Sequence, residues 1–133
     1  MTTTISIKLV GGLGNQLFQI FATVSYGLYY KCNIIFPYTE KLHTGTVRNT
    51  YWNTFLVDCR LMTTYNLLHN ETNESLMSMP IYNEKSFEYN KIPCPKGPKM
   101  LLHGYYQSYK YFDKHWESIK QMIKLDAQQQ TIK

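Results

Sequence analysis

Residues Gly11-Gly12-Leu13-Gly14-Asn15-Gln16 are the stretch of this sequence best suited to hold a ligand. Glycines let a ligand approach the backbone closely, and a helix start behind them offers free N–H groups and a partial positive charge. That chemistry suits an anion or a sugar hydroxyl. Two well-known phosphate loops do not fit. The dinucleotide fingerprint needs a third glycine where Leu17 stands, and the P-loop needs Gly-Lys-Ser/Thr where this chain has Gly14-Asn15-Gln16. The run also reads as a tight strand-to-helix turn that holds nothing, and composition alone leaves the two readings level.

A second group follows much later, at His103-Gly104-Tyr105-Tyr106-Gln107. A neutral imidazole can take a proton from a hydroxyl, so His103 is a candidate general base, although a lone His at a strand end is more often structural. Tyr105, Tyr106 and Gln107 are suited to stacking on a sugar and hydrogen bonding to it, or equally to packing a strand-to-helix corner. Metal chemistry has no obvious ligands: Asp58, Asp113 and Asp126 stand apart, and no cysteine or histidine pair has zinc spacing. His43 and His69 have no visible partner, and His115 beside Trp116 reads as surface or core filling.

These groups need elements to position them. Ile5, Ile7 and Leu9 alternate with Ser6 and Lys8, which predicts a short strand ahead of the glycines. From Leu17 the spacing turns helical, with Leu17, Ile20, Phe21, Val24 and Leu28 on one face, Asn15 as the expected N-cap and Asn33 as the expected stop. Ile34-Ile35-Phe36 then reads as a second strand, giving a β-α-β unit with two parallel strands. The helix's other face, Gln16, Gln19, Thr23, Tyr26 and Tyr30, is polar but uncharged, which predicts burial against another layer or a cleft. Residues 38–98 are weakly patterned. Tyr51–Leu61 suggests a short helix, Ser86–Tyr89 a short strand, and Pro93 to Pro98 a loop. Met100–Gly104 fits a buried strand ending at a glycine. An amphipathic helix capped by Asp113 follows, and Gln128-Gln129-Gln130 closes a polar tail.

Composition bounds what this can be. At 133 residues, 44% apolar and 17% charged, the chain has material for one ordinary domain with a real core. The expectation is a single α/β, Rossmann-like parallel-sheet domain over residues 1–125, with 126–133 as tail. Net charge is +5, but residues 1–45 carry +2, 46–84 carry −2 and 85–133 carry +5. Only Arg48 and Arg60 are arginines, so the lysine-rich end reads as a solvated face and not a nucleic-acid stripe. The odd cysteine count (Cys32, Cys59, Cys94) gives no disulfide framework. Residues 9–30 carry no formal charge, as a membrane span would, yet their glycines, Asn15, Gln16 and Gln19 argue against one. No cationic secretion start precedes them, so a cytoplasmic location is expected. The two glycosylation sequons at Asn70 and Asn73 matter only in a secretory lumen.

Taken whole, Gly11-Gly12-Leu13-Gly14-Asn15-Gln16-Leu17-Phe18-Gln19 resembles the N-terminal signature of the α-1,2-fucosyltransferases, glycosyltransferase family 11. A second block, Leu102-His103-Gly104-Tyr105-Tyr106-Gln107-Ser108-Tyr109-Lys110-Tyr111-Phe112, looks like that family's glycine-aromatic-glutamine-serine segment, in matching order and separation. The resemblance implies the N-terminal half of a GT-B enzyme that moves L-fucose from GDP-fucose to the 2-hydroxyl of a galactoside acceptor. The transfer is inverting and uses no metal or cofactor. On this reading Gly11, Gly12, Gly14, Asn15 and Gln16 form the loop facing the donor cleft. His103, Gly104, Tyr105, Tyr106 and Gln107 serve the acceptor. The family's donor motif, His-x-Arg-Arg-x-Asp, has no counterpart here, so the expectation is a chain truncated before its donor-binding domain. It would be inactive alone, or completed by a separate C-terminal domain. A departing nucleoside diphosphate also needs cations or preorganised donors on simple charge grounds. The alternatives are a non-catalytic glycan- or nucleotide-binding module and, less well matched, a dehydrogenase fragment with Glu40 on the ribose.

Overall fold

The computed structural model describes residues 2–43 and 45–124; the expected polar tail at 126–133 lies outside them. Strand β1 (Thr4–Ile7) leads through the glycines into helix α1 (Leu13–Tyr30), and β2 (Asn33–Ile34) follows. A small antiparallel hairpin, β3 (Lys41–Leu42) and β4 (Arg48–Asn49), comes next. After a 3-10 segment at Val57–Met62 and the short helix α2 (Asn73–Met77) come β5 (Ile81–Asn83) and β6 (Lys99–His103). Two 3-10 turns then lead into α3 (Trp116–Ile123).

The main sheet has four strands in the order β2-β1-β6-β5, and every neighbouring pair is parallel. This is a mixed α/β fold with the parallel sheet that a Rossmann-like domain requires. Successive side chains of a strand point to opposite faces, and the sequence uses both. Ile5, Ile7 and Leu102 pack in one core with Ile20 and Val24 of α1 and Ile119 and Ile123 of α3. On the other face Leu101 and Ile35 meet Leu76 and Met79 from α2 and its exit. Two-sided burial is what a parallel sheet demands.

The β-α-β unit and the strand ending at Gly104 lie where the apolar spacing placed them. The uncharged face of α1 is covered over most of its length: Gln16, Gln19, Thr23 and Tyr26 are almost wholly buried, and Tyr30 at its end is half-buried. Several local details differ. Gly12, not Asn15, is the N-cap of α1, because Gly11 at φ 83° has already turned the chain. Lys31, at φ 57°, takes the left-handed exit expected of Asn33, which instead opens β2. Beyond Ile34, Ile35 N donates to Ile5 O and Phe36 forms only an isolated parallel bridge to Thr63. Tyr51–Leu61 gives the 3-10 segment and no α-helix, and the expected strand at Ser86–Tyr89 falls at Ile81–Asn83. Asp113 sits in a 3-10 turn before α3 and its side chain caps nothing there. No helix among the described residues is long and apolar enough to cross a membrane.

Candidate functional site

Because β1, β5 and β6 run parallel, the segments that leave them share one edge of the sheet. In open α/β sheets this carboxyl edge is where ligands bind. The glycine loop leaves β1 there, Asn83-Glu84 leaves β5, and His103–Gln107 leaves β6.

The glycine loop is held from behind by two buried glutamines of α1. Gln19 Nε2 donates to Val10 O (3.2 Å) and its Oε1 accepts from Val10 N (3.0 Å), so one side chain satisfies both backbone groups of the loop's first residue. Gln16 Nε2 donates to Gly11 O (2.9 Å) and to Asn49 O of β4 (2.8 Å), which ties the hairpin to the loop. Its Oε1 is buried with no partner among the described residues. Position 11 favours glycine: its φ is +83°, and a Cβ there would press on the Asn15 side chain, 3.0 Å from its Cβ. The first backbone bond of α1 runs from Gln16 N to Gly12 O, and no side chain caps the N–H groups ahead of it. Those donors and the helix dipole face outward at Gly14, which is exposed.

The hairpin brings a residue that the sequence had left isolated. A methyl group on Gly12 would sit 3.5 Å from Arg48 Nη1, so this guanidinium lies against the glycine turn. Arg60 lies elsewhere: its Nη1 donates to Asn53 Oδ1 (3.0 Å) and the group sits 5.0 Å over the Tyr65 ring. One arginine, not a pair, therefore attends the uncapped start of α1.

At the end of β6, Gly104 (φ 152°) passes directly over Glu84, and a Cβ there would fall 2.3 Å from Glu84 Cβ. The carboxylate of Glu84 accepts from Tyr105 N through Oε1 and from Tyr106 N through Oε2, both at 3.0 Å. Tyr106 has φ 51°, unusual for a residue with a side chain. Glu84 holds that turn from beneath, and its occupation of both N–H groups leaves them closed to a ligand. Tyr106, expected to face an acceptor, instead belongs to the core at 1% exposure, edge-on to Tyr111 at 5.1 Å. Burial, with the Glu84 carboxylate adding to it, pushes its phenol well above the usual tyrosine range.

What remains available is His103, Tyr105 and Gln107. Tyr105 and Gln107 are exposed and His103 is half-buried. Gln107 Nε2 donates to Asn15 Oδ1 at 2.5 Å, a direct bond between the two loops across 92 positions of sequence. His103 Nδ1 lies 3.0 Å from Asn83 Oδ1. With the amide oxygen toward the ring, Nδ1 is the donor, and in the neutral ring this puts the lone pair on Nε2. That is the tautomer a base acting through Nε2 needs.

The structure thus joins Asn15 to Gln107 and places His103 at the same edge. It adds Arg48, Asn83 and Glu84, which sequence reasoning missed. Their partners lie 20 to 36 positions away, so no local pattern reveals them; the nearest signal is that Asn83 and Glu84 close an apolar run after Pro80. Among the described residues no three His, Cys, Asp or Glu side chains group as metal ligands would. The arrangement offers outward backbone donors and one guanidinium on one side. On the other it offers an aromatic ring, an amide and an imidazole. No protein-family model, no curated protein and no solved structure matches this chain.

Proposed function

We propose that this chain is the acceptor-side, Rossmann-like half of an α-1,2-fucosyltransferase-like protein of GT-B architecture. The observation that carries the reading is the Asn15–Gln107 hydrogen bond. It joins the two sequence blocks that resemble the family, at the sheet edge where ligands of such folds bind. The acceptor galactoside stacks on Tyr105 and bonds to Gln107, and His103 Nε2 takes the proton of its 2-hydroxyl. That oxygen attacks the anomeric carbon of GDP-fucose, and the electrons of the broken bond leave with GDP. The uncapped start of α1 and Arg48 meet part of the developing negative charge. A diphosphate asks for more donors than these, so the remaining cations come from residues outside this set, and transfer by this chain alone is slow or absent.

A second reading, a glycan-binding module without transfer, is favoured by the single guanidinium at the loop, since binding a neutral sugar needs no paired arginines. One experiment separates the two. Lactose is titrated into the 15N-labelled protein and its resonances are followed, and GDP-fucose is then added with and without lactose. Saturable lactose shifts at Tyr105 and Gln107, together with GDP-fucose shifts at Gly12 and Gly14, support the transferase reading. Lactose shifts alone support the module. No lactose shift at millimolar sugar rejects both.

A further inference from the structure

The second half of α1 borders a cavity of about 160 Å³, closed by the segment around Tyr89–Ile92 and the 3-10 turns before α3. Ser25 lies 13 positions beyond Gly12, or about 20 Å along a helix rising 1.5 Å per residue, so this cavity is separate from the sheet edge described above. Ser25 Oγ and His115 Nδ1 are 2.6 Å apart in its lining. Its walls are tyrosine rings in two packed pairs, Tyr26 with Tyr30 and Tyr89 with Tyr111, each with centroids 4.8 Å apart.

Charge at this cavity is one-sided. Lys91, Lys110 and Lys114 line it and are exposed, and none of them takes part in the ion pairs found among the described residues. No Asp or Glu lines it. Three ammonium groups border this small cavity and no carboxylate does, so its local charge favours an anion. Size narrows the choice further, because an apolar cavity of about 150 Å³ accepts one benzene ring. The walls supply several aromatic faces for a ring to lie against, and two of the lining hydroxyls are engaged elsewhere: Tyr26 Oη donates to Pro93 O (2.7 Å) and Tyr111 Oη accepts from Asn90 N (3.0 Å).

We propose that this cavity binds a single-ring aromatic acid. The ring lies against the tyrosine faces, the carboxylate or phosphate is met by Lys91, Lys110 and Lys114, and the Ser25–His115 pair offers a hydrogen bond to a ring substituent. This site is independent of the fucosyltransferase reading and stands or falls without it.

Benzoate, phenyl phosphate, benzyl alcohol and inorganic phosphate are titrated separately into the 15N-labelled full chain. The expected result is saturable binding of benzoate or phenyl phosphate, with shifts at Ser25, Tyr30 and the His115 ring. Whichever of the two binds tighter identifies the acid group. Benzyl alcohol and inorganic phosphate should each bind at least about tenfold more weakly, since each lacks one half of the recognition. A Lys110→Gln/Lys114→Gln variant should lose the same factor while its circular dichroism stays unchanged, because both side chains are exposed. Ser25→Ala is a second variant, expected to move the His115 resonances without abolishing anion binding. Absence of binding by both aromatic acids overturns the proposal. So does equal binding of benzyl alcohol, which would remove the charge argument, or of inorganic phosphate, which would remove the ring.

Discussion

The two ends of α1 are built on different principles. At its start, the backbone is fixed by side chains that spend their hydrogen bonds on it: the buried Gln19 on Val10 and Gln16 on Gly11 and Asn49, and the half-buried Glu84 on Tyr105 and Tyr106. At its far end, three exposed lysines and several tyrosines surround the cavity, and Ser25 bonds to His115 in its lining. The first arrangement has its donors in place before any ligand arrives, which is what stabilises charge developing in a reaction. The second must order long side chains on binding, which costs affinity but tolerates change. The sheet edge should therefore be sensitive to mutation in stability, and the cavity in binding alone.

Gly104→Ala should break the contrast most severely. The new Cβ would press on Glu84 Cβ at a backbone angle that disfavours any side chain, and a loss of about 3 kcal/mol or more is expected in urea unfolding. Glu84→Ala leaves the Tyr105 and Tyr106 N–H groups without their acceptor; roughly 2 kcal/mol should be lost, with Tyr106 resonances broadened. Gln19→Leu strips both Val10 partners and should cost about 1–2 kcal/mol, seen as faster amide exchange at Val10. Lys91→Ala at the cavity should change stability by less than about 0.5 kcal/mol. A larger loss there would erase the distinction between the ends.

Alkaline titration sharpens it. Burial raises the phenols of Tyr26 at the cavity end and Tyr106 at the loop end, and pushes the Cys59 thiol in the core from 9.0 up to about 12. The folded protein keeps these protons at pH values where the unfolded chain releases them. Unfolding then releases protons, and by linkage stability falls as pH rises. Stability should be unaffected by these groups below about pH 8, begin to fall as the unfolded thiol titrates, and fall more steeply as the unfolded phenols titrate near about pH 10. Tyr106→Phe and Tyr26→Phe should each flatten that decline in urea midpoints measured across the range. The smallest expected effect is that of Arg48→Gln, which leaves the urea midpoint in place and weakens only the GDP-fucose shifts at Gly12.

What the sequence discloses depends on the range over which each feature is determined. The alternation of Ile5 and Ile7, the helical spacing from Leu17 and the uncharged face of Gln16 and Gln19 are local patterns, and β1, α1 and its burial follow from them. β5 is three residues long, too short to show a period, and it exists because β6 supplies its partner at Ile81↔Leu101. Arg48 and Glu84 owe their places to the hairpin and to β5, so their roles depend on pairings that no window of sequence contains. The caps failed for a nearer reason: Gly11 and Lys31 turned the chain before Asn15 and after Tyr30, and the residues with the better capping side chains were left with other bonds.

The centre of the sheet is the pairing of β1 with β6, which sets Thr4 against Lys99. During synthesis β1 therefore waits for β6. At cellular elongation rates of about 5–20 residues per second, roughly 5 to 20 seconds separate the two. For that interval Ile5 and Ile7 have a helix on one side and an unoccupied edge on the other. A nascent chain arrested between α2 and β6 should be a good client for chaperones that hold apolar segments, and one extended past His103 and clear of the ribosome should release them.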